Sequence, residues 1–182
     1  MNTHRIFLIG PMGSGKTAVG KHLARMLNLA FHDSDVEIEQ RTGVDVPYIF
    51  DKEGEVGFRQ REREVIDALT QLENVVIATG GGAILLAENR EHLRSRGCVV
   101  YLRTSVDQQL ERTRSARNRP LLNTADPRQR LADLLAVRAP LYESTATFTV
   151  DTDGRRVSSV VEDIVHKLSS TAPQSHPCPQ NV

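Results

Sequence analysis

The chain has 182 residues, enough for one well-buried domain and short for two. Hydrophobic residues make up 39% of it and charged residues 25%, an ordinary globular composition, and 23 basic side chains balance 23 acidic ones. That balance excludes a global field drawing the protein to nucleic acid or anionic lipid, so anion binding has to be built locally.

No apolar run approaches the roughly 18 residues a membrane span needs, and the N-terminal residues lack a signal-peptide pattern. Cys98 sits in an apolar run and Cys178 in a polar stretch, which makes neither a disulfide framework nor a metal site. These features predict a cytoplasmic protein with no nucleic-acid or membrane partner. The lack of exposed heptads or a long apolar edge predicts a monomer.

In chain order, the apolar run Ile6-Phe7-Leu8-Ile9 reads as a strand that leads straight into Gly10-Pro11-Met12-Gly13-Ser14-Gly15-Lys16-Thr17. This is G-x-x-x-x-G-K-[ST], a nucleoside-triphosphate cradle. Its glycines let consecutive N–H groups turn inward onto phosphate oxygens, at the positive end of the helix that follows. Lys16 is placed to reach the β/γ-phosphates and the Thr17 hydroxyl to ligate Mg²⁺. Val19, Leu23, Met26 and Leu27 give that helix its apolar stripe.

Residues 30–33 read as the second strand, followed by Asp33-Ser34-Asp35. Two carboxylates two residues apart at a strand end can divide labour, one toward Mg²⁺ and one toward a substrate hydroxyl whose proton it orients or accepts. Equally, Ser34 or Asp35 can simply cap the next helix. Residues 55–72 form a densely charged helical stretch with Phe58-Arg59, and Glu62 is three residues on. That spacing fits an exposed ion pair, or a carboxylate that pins a guanidinium against a substrate anion.

The strand at 75–78 runs into Gly80-Gly81-Gly82, which suits close approach of a ligand to main-chain N–H groups or a tight turn into a helix around 84–86. A fourth strand is expected at 98–102. Ser105 with Gln108 reads as a helix start, as do Asp126, Pro127 and Gln129. Between these starts lie Arg112, Arg114, Arg117 and Arg119-Pro120-Leu121-Leu122, from which an arginine could close over a γ-phosphate. Arg138 is a second candidate carboxylate clamp. The fifth strand is expected at 147–150, and the last helix buries Val160, Val161, Ile164, Val165 and Leu168. The pattern stops there, so residues 1–168 read as one domain and 169–182 as a disordered tail. Strands alternating with helices predict an α/β fold, a parallel sheet covered on both faces.

Taken together these residues resemble the shikimate kinase family, whose pattern is a P-loop, D-x-D, F-R, G-G-G, R-P-L-L and R-x-P-L-Y. Here they are residues 10–17, Asp33 with Asp35, Phe58-Arg59, residues 80–82, Arg119-Pro120-Leu121-Leu122 and Arg138-Ala139-Pro140-Leu141-Tyr142. The resemblance runs from about Arg5 to Leu168. It implies a three-layer αβα P-loop kinase with a five-stranded parallel sheet of order 2-3-1-4-5 and a lid at about 112–126. It also implies Mg²⁺-dependent transfer of the ATP γ-phosphate to the 3-hydroxyl of shikimate, a step toward chorismate and the aromatic amino acids.

By the same resemblance, Gly13, Ser14, Gly15, Lys16, Thr17 and Ala18 hold ATP, with Arg119 from the lid and Arg155 or Arg156 near adenine. Arg112 is a weaker candidate for stacking on the base. Thr17 and Asp33 hold the Mg²⁺ shell. Asp35 holds the reacting diol, Arg59 and Arg138 bind the shikimate carboxylate, and Gly81 offers its N–H. Lys16, Asp35 and Arg119 are the catalytic set. The family's adenine loop can read T-x-R-R-x-P, whereas Arg155 and Arg156 here have no such proline. Two other readings of the chain are a related small-molecule kinase such as gluconate kinase, and a nucleotide-binding switch without acceptor chemistry.

Overall fold

A computed structural model describes residues 4–114 and 125–171. Five strands, β1 (Arg5–Ile9), β2 (Ala30–Asp33), β3 (Val75–Ala78), β4 (Cys98–Arg103) and β5 (Phe148–Asp151), form one sheet of order β2-β3-β1-β4-β5. Every pairing is parallel. β1 is therefore central, and the connections leaving it and β4 wind to opposite sides, which opens a crevice at the carboxyl ends of β1, β2 and β3.

Because side chains alternate along a strand, each strand feeds two cores. Phe7 and Ile9 of β1 join Val75, Ile77, Val99 and Tyr101 on one face, while Ile6 and Leu8 join Val76, Val100, Leu102 and Val150 on the other. The first face is covered by α3 (Val46–Thr70), α4 (Ala87–Arg96) and α6 (Pro127–Thr145), the second by α1 (Lys16–Leu27) and α7 (Val157–Thr171). The expected three-layer αβα architecture is what forms. Among the described residues no helix is long and apolar enough to cross a membrane.

Several expected boundaries move for identifiable reasons. α2 (Ser34–Thr42) is capped by Asp33, whose carboxylate accepts from the Asp35 N–H at 3.1 Å. Neither Ser34 nor Asp35 is the cap, so Ser34 points into the core and Asp35 is left with its side chain uncommitted to the helix end. α3 starts nine residues ahead of the charged stretch, at a cap by Asp45, and bends at Gly54 (φ 68°, ψ −174°). Arg61 reaches back across that bend to grip Glu53 with two bonds, at 2.7 and 2.9 Å.

The turn after the glycines is a short 3-10 helix, Ala83–Leu85, followed by α4, rather than a helix at 84–86. Met26, expected in the apolar stripe of α1, lies 49% exposed, whereas Val19 and Leu23 are buried. α7 continues to Thr171, past Leu168, as the Ser169 and Ser170 hydroxyls donate to the Val165 and His166 carbonyls one turn back. α5 (Val106–Thr113) and α6 start at the expected caps, Ser105 and Asp126. Arg112, at the expected edge of the lid, is inside α5. Arg117, Arg119 and the Pro120-Leu121-Leu122 run lie outside the described residues, as does Cys178.

Gly97, between α4 and β4, shows how tightly the layers meet. A β-carbon there would lie 2.6 Å from the Arg5 carbonyl oxygen and 2.6 Å from the Phe7 ring. The carbonyl belongs to a paired strand and cannot give way. Gly97→Ala is expected to destabilise the fold by about 1–3 kcal/mol through overpacking, measured by urea unfolding, with little effect on the crevice some strand-length away.

Candidate functional site

β1 ends in a loop whose Gly10, Gly13 and Gly15 take φ values of 147°, 76° and 91°, a conformation open to glycine and strained for other residues. Gly15 is the cap of α1 and has no side chain to close it, so the helix presents its amides to the loop's interior. The Lys16 ammonium donates to the Gly10 and Pro11 carbonyls, both at 2.8 Å. The Thr17 hydroxyl donates to Asp33 Oδ2 at 2.8 Å. Asp33 thus does two jobs, capping α2 with one oxygen and meeting Thr17 with the other.

A cleft of about 340 Å³ opens over this loop, lined by Gly13, Gly15, Lys16, Thr17, Ala18, Asp33, Asp35, Gly81 and Arg112. It brings together most of the expected phosphate-loop residues with Asp33, Asp35 and Gly81, whereas Ser14, Arg59, Arg138, Arg155 and Arg156 do not line it and Arg119 lies outside the described residues. Thr17 and Asp33 are a hydroxyl and a carboxylate at the cleft floor, hard oxygen donors of the kind a Mg²⁺ ion uses while keeping most of its waters. Among the described residues no cluster of three or more His, Cys, Asp or Glu gathers elsewhere to offer a competing metal site.

The glycine run after β3 borders the cleft and meets a charged residue at each step. A β-carbon at Gly80 would sit 2.7 Å from both Asp35 Oδ1 and Glu62 Oε1, and one at Gly82 would collide with the Arg59 guanidinium. At Gly81 it would come within 3.8 Å of Arg138 Nη1. The Gly80 N–H donates to the buried Ser34 hydroxyl at 2.8 Å, so the residue between the two aspartates anchors the turn. Sequence reasoning missed this role. The alternation Asp33-Ser34-Asp35 could have signalled it, since the middle residue has to point the other way.

Arg59 and Glu62 meet at 2.6 Å, with Glu62 fully buried, and Glu55 takes the other edge of the guanidinium at 3.1 Å. The pinning carboxylate expected three residues on is present. Arg138 is 95% buried on α6, since only 5% of it is exposed; it forms no ion pair within 4 Å among the described residues, though its guanidinium meets the Tyr142 hydroxyl and its charge is felt by Glu62. A buried guanidinium without a carboxylate partner is costly unless an anion joins it. Asp35 Oδ1 and Glu62 Oε1 are buried acceptors without a donor among the described residues. Burial pushes the Asp35 carboxyl up to about 6, helped by Asp33 and opposed by Lys16 and Arg59. Burial likewise pushes Glu62 up to about 7, Arg59 holding it down and Asp35 raising it further.

The arginines after β5 are placed differently from one another. Arg155 is committed to Asp163 at 3.0 Å and to the Ser159 and Asp151 carbonyls, bracing the start of α7. Arg156 is exposed. Arg112 donates to the Gly13 carbonyl at 3.0 Å and the Thr152 carbonyl at 2.8 Å, joining the phosphate loop to the segment after β5.

Comparison with known proteins points the same way. The family model described as shikimate kinase matches residues 12–169. A shikimate kinase of Methylococcus capsulatus is 59% identical over 165 residues, covering 91% of this chain and 92% of its own length. The structure of a shikimate kinase from Acinetobacter baumannii in complex with shikimate is 49% identical, covers 95% of this chain and 97% of its own, and superposes with a TM-score of 0.93. A gluconokinase from Sinorhizobium meliloti shares only the fold, at 18% identity and a TM-score of 0.60, over 95% of this chain and 98% of its own.

The two raised carboxyl groups make stability pH-dependent. Between its unfolded value of 4.5 and its folded value of about 7, Glu62 binds more protons folded than unfolded. Its contribution is therefore full below pH 4.5 and lost as pH rises through 7. Urea unfolding is expected to show stability falling by on the order of 1–3 kcal/mol between pH 5 and 8, at about 1.4 kcal/mol per pKa unit. Glu62→Gln should flatten that fall, and an unchanged slope would contradict the assignment.

Proposed function

The chain belongs to the shikimate kinase family, ATP-dependent kinases by that membership, and we propose that it transfers the γ-phosphoryl group of ATP to the 3-hydroxyl of shikimate. The observation that carries this is the pair of guanidinium groups, Arg59 and Arg138, flanking a glycine turn beside a phosphate loop in a chain with no net charge. A polyol carboxylate asks for arginines at one end and a carboxylate at the other, and Asp35 supplies the latter.

In this reading the amides of Gly13, Ser14, Gly15, Lys16, Thr17 and Ala18 receive the phosphates, favoured by the positive end of α1. Lys16 leaves the Gly10 and Pro11 carbonyls for the β/γ-phosphate oxygens. Thr17 and Asp33 would hold Mg²⁺, which when bound neutralises charge on those phosphates. Arg59 and Arg138 hold the substrate carboxylate, and the Gly81 N–H donates to the substrate. Asp35 orients the 3-hydroxyl and accepts its proton as the oxygen attacks phosphorus and the bond to ADP breaks. Arg119 covers the γ-phosphate from the lid at about 112–126. Since Arg155 braces α7, Arg156 and Arg112 are the residues we assign to adenine. The enzyme is a monomer of one domain in the cytoplasm, serving the chorismate route, with no nucleic-acid or membrane partner.

A coupled assay of ADP release with Mg²⁺ and ATP, run with shikimate, gluconate or no acceptor, tests the proposal. Only shikimate is expected to drive turnover, and removing Mg²⁺ should abolish it. Asp35→Asn should lower kcat by about 10²–10⁴-fold, and Lys16→Ala should lower it comparably. Arg138→Ala should chiefly raise the KM for shikimate. Turnover with gluconate, or a fully active Asp35→Asn, would sink the substrate assignment. ATP binding with no acceptor-dependent turnover would favour a nucleotide switch.

A further inference from the structure

Two consecutive peptides in the glycine turn are tied to the protein by their carbonyls and not by their amides. The Gly80 carbonyl accepts from the Ala83 N–H at 3.1 Å, and the Gly81 carbonyl accepts from the Tyr142 hydroxyl at 2.5 Å. Among the described residues, the N–H groups of Gly81 and Gly82 donate to no protein acceptor. A peptide is planar and trans, and no cis bond occurs here, so its N–H points opposite its C=O. Holding the Gly81 carbonyl against α6 therefore aims the N–H of the same peptide away from α6.

That peptide has unusual freedom to lose. Its plane turns on ψ of Gly81 and φ of Gly82, and neither residue has a β-carbon to restrict the rotation. The Ala83 bond fixes the preceding plane only. Without a second tie, the plane between Gly81 and Gly82 could flip and offer its carbonyl where a donor is needed, beside Arg59 and Arg138. Tyr142 supplies the tie from a rigid base. It stands one turn after Arg138 on α6, is buried, and stacks on Tyr101 at a centroid distance of 4.9 Å and 21° between planes. Burial pushes its hydroxyl far above the ordinary phenol range, with Tyr101 and Glu62 adding to the rise and Arg138 opposing it. With its proton held this firmly, the hydroxyl remains a donor at neutral pH.

We propose that Tyr142 is a positioning residue for the acceptor substrate, its hydroxyl fixing the Gly81 carbonyl so that this peptide presents the Gly82 amide hydrogen, and not its oxygen, to the substrate between Arg59 and Arg138, beside the Gly81 N–H that the Ala83 bond sets. The proposal rests on the reading of this turn as the shikimate cradle. One side chain of α6 then clamps the substrate directly, Arg138, and another sets the backbone facing it.

Tyr142→Phe keeps the ring, its stack on Tyr101 and nearly all its volume, and removes one hydroxyl. Steady-state kinetics should show the KM for shikimate rising roughly five- to tenfold, the range lost with one buried hydrogen bond. The KM for ATP should stay within twofold and kcat within about threefold. Tyr101→Phe, which trims a hydroxyl that does not touch the turn, should leave the KM for shikimate at the parent value. Calorimetric titration with shikimate at low temperature, where a destabilised fold persists, should show the same weakening for Tyr142→Phe. An unchanged KM and affinity for shikimate, with or without a lower melting temperature, would overturn the proposal and leave Tyr142 a core residue. A parent enzyme inert toward shikimate would remove the cradle reading and this proposal with it.

Discussion

The site depends on how closely the main chain after β3 can approach the charged side chains of α2, α3 and α6. Gly80 and Gly82 sit where a β-carbon would strike Asp35, Glu62 or Arg59, so the bare backbone packs directly against two carboxylates and a guanidinium group. The approach is enforced from both ends. Thr79 is paired to Leu8 of the central strand and the 3-10 turn closes just after Gly82, leaving the glycines no slack to withdraw. The parallel order β2-β3-β1 puts the same segment beside the phosphate loop, since β3 lies between the strand ending at Asp33 and the strand that leads into Gly10. The glycine turn and the phosphate loop are neighbours because two strands are.

Electrostatically the crevice is a set of charges that hold one another. Lys16 rests on loop carbonyls, Thr17 on Asp33, and Arg59 on Glu55 and Glu62. Glu55 is largely exposed, at 57% for its side chain, so its i,i+4 bond to Arg59 contributes little. The bond to Glu62 is buried and charge-assisted, and removing either partner would strand the other in the core. Glu62 therefore fixes where the Arg59 guanidinium points while the edge facing Glu55 remains exchangeable. An anion arriving at that edge would replace the weak surface partner and leave the buried one in place.

The strands were legible because each is a short apolar run bounded by polar or glycine residues, and the parallel sheet followed from their alternation with helical patterns. Their ends were not, since Arg5, Arg103 and Asp151 are polar residues drawn into the ladder by pairing, the last two also by a bidentate ion pair. Caps with a side chain at the first position and an amide three residues on, Ser105 and Asp126, were readable locally. Asp33 was harder, because a residue that also meets Thr17 across 16 positions looks from the sequence like a strand end with a function, and the cap was sought one or two residues later. The bend at Gly54 has no period to betray it. Its evidence is a glycine among charges, and the Glu53–Arg61 bonds that hold it span eight residues, outside any helical pair rule.

The residues proposed to bear the chemistry were picked out by type and spacing, whereas the side chains that support the turn were not. Ser34 and Tyr142 carry no charge, act through backbone atoms 46 and 61 residues away, and leave no periodic trace. Both hold the same glycine turn, Ser34 by an acceptor for the Gly80 N–H and Tyr142 by a donor to the Gly81 carbonyl. A turn of three glycines is the most flexible segment the chain could place at the edge of a cleft, and flexibility there would cost binding. The fold keeps glycine for its missing β-carbons and removes the freedom that comes with it, using one hydroxyl from α2 and one from α6.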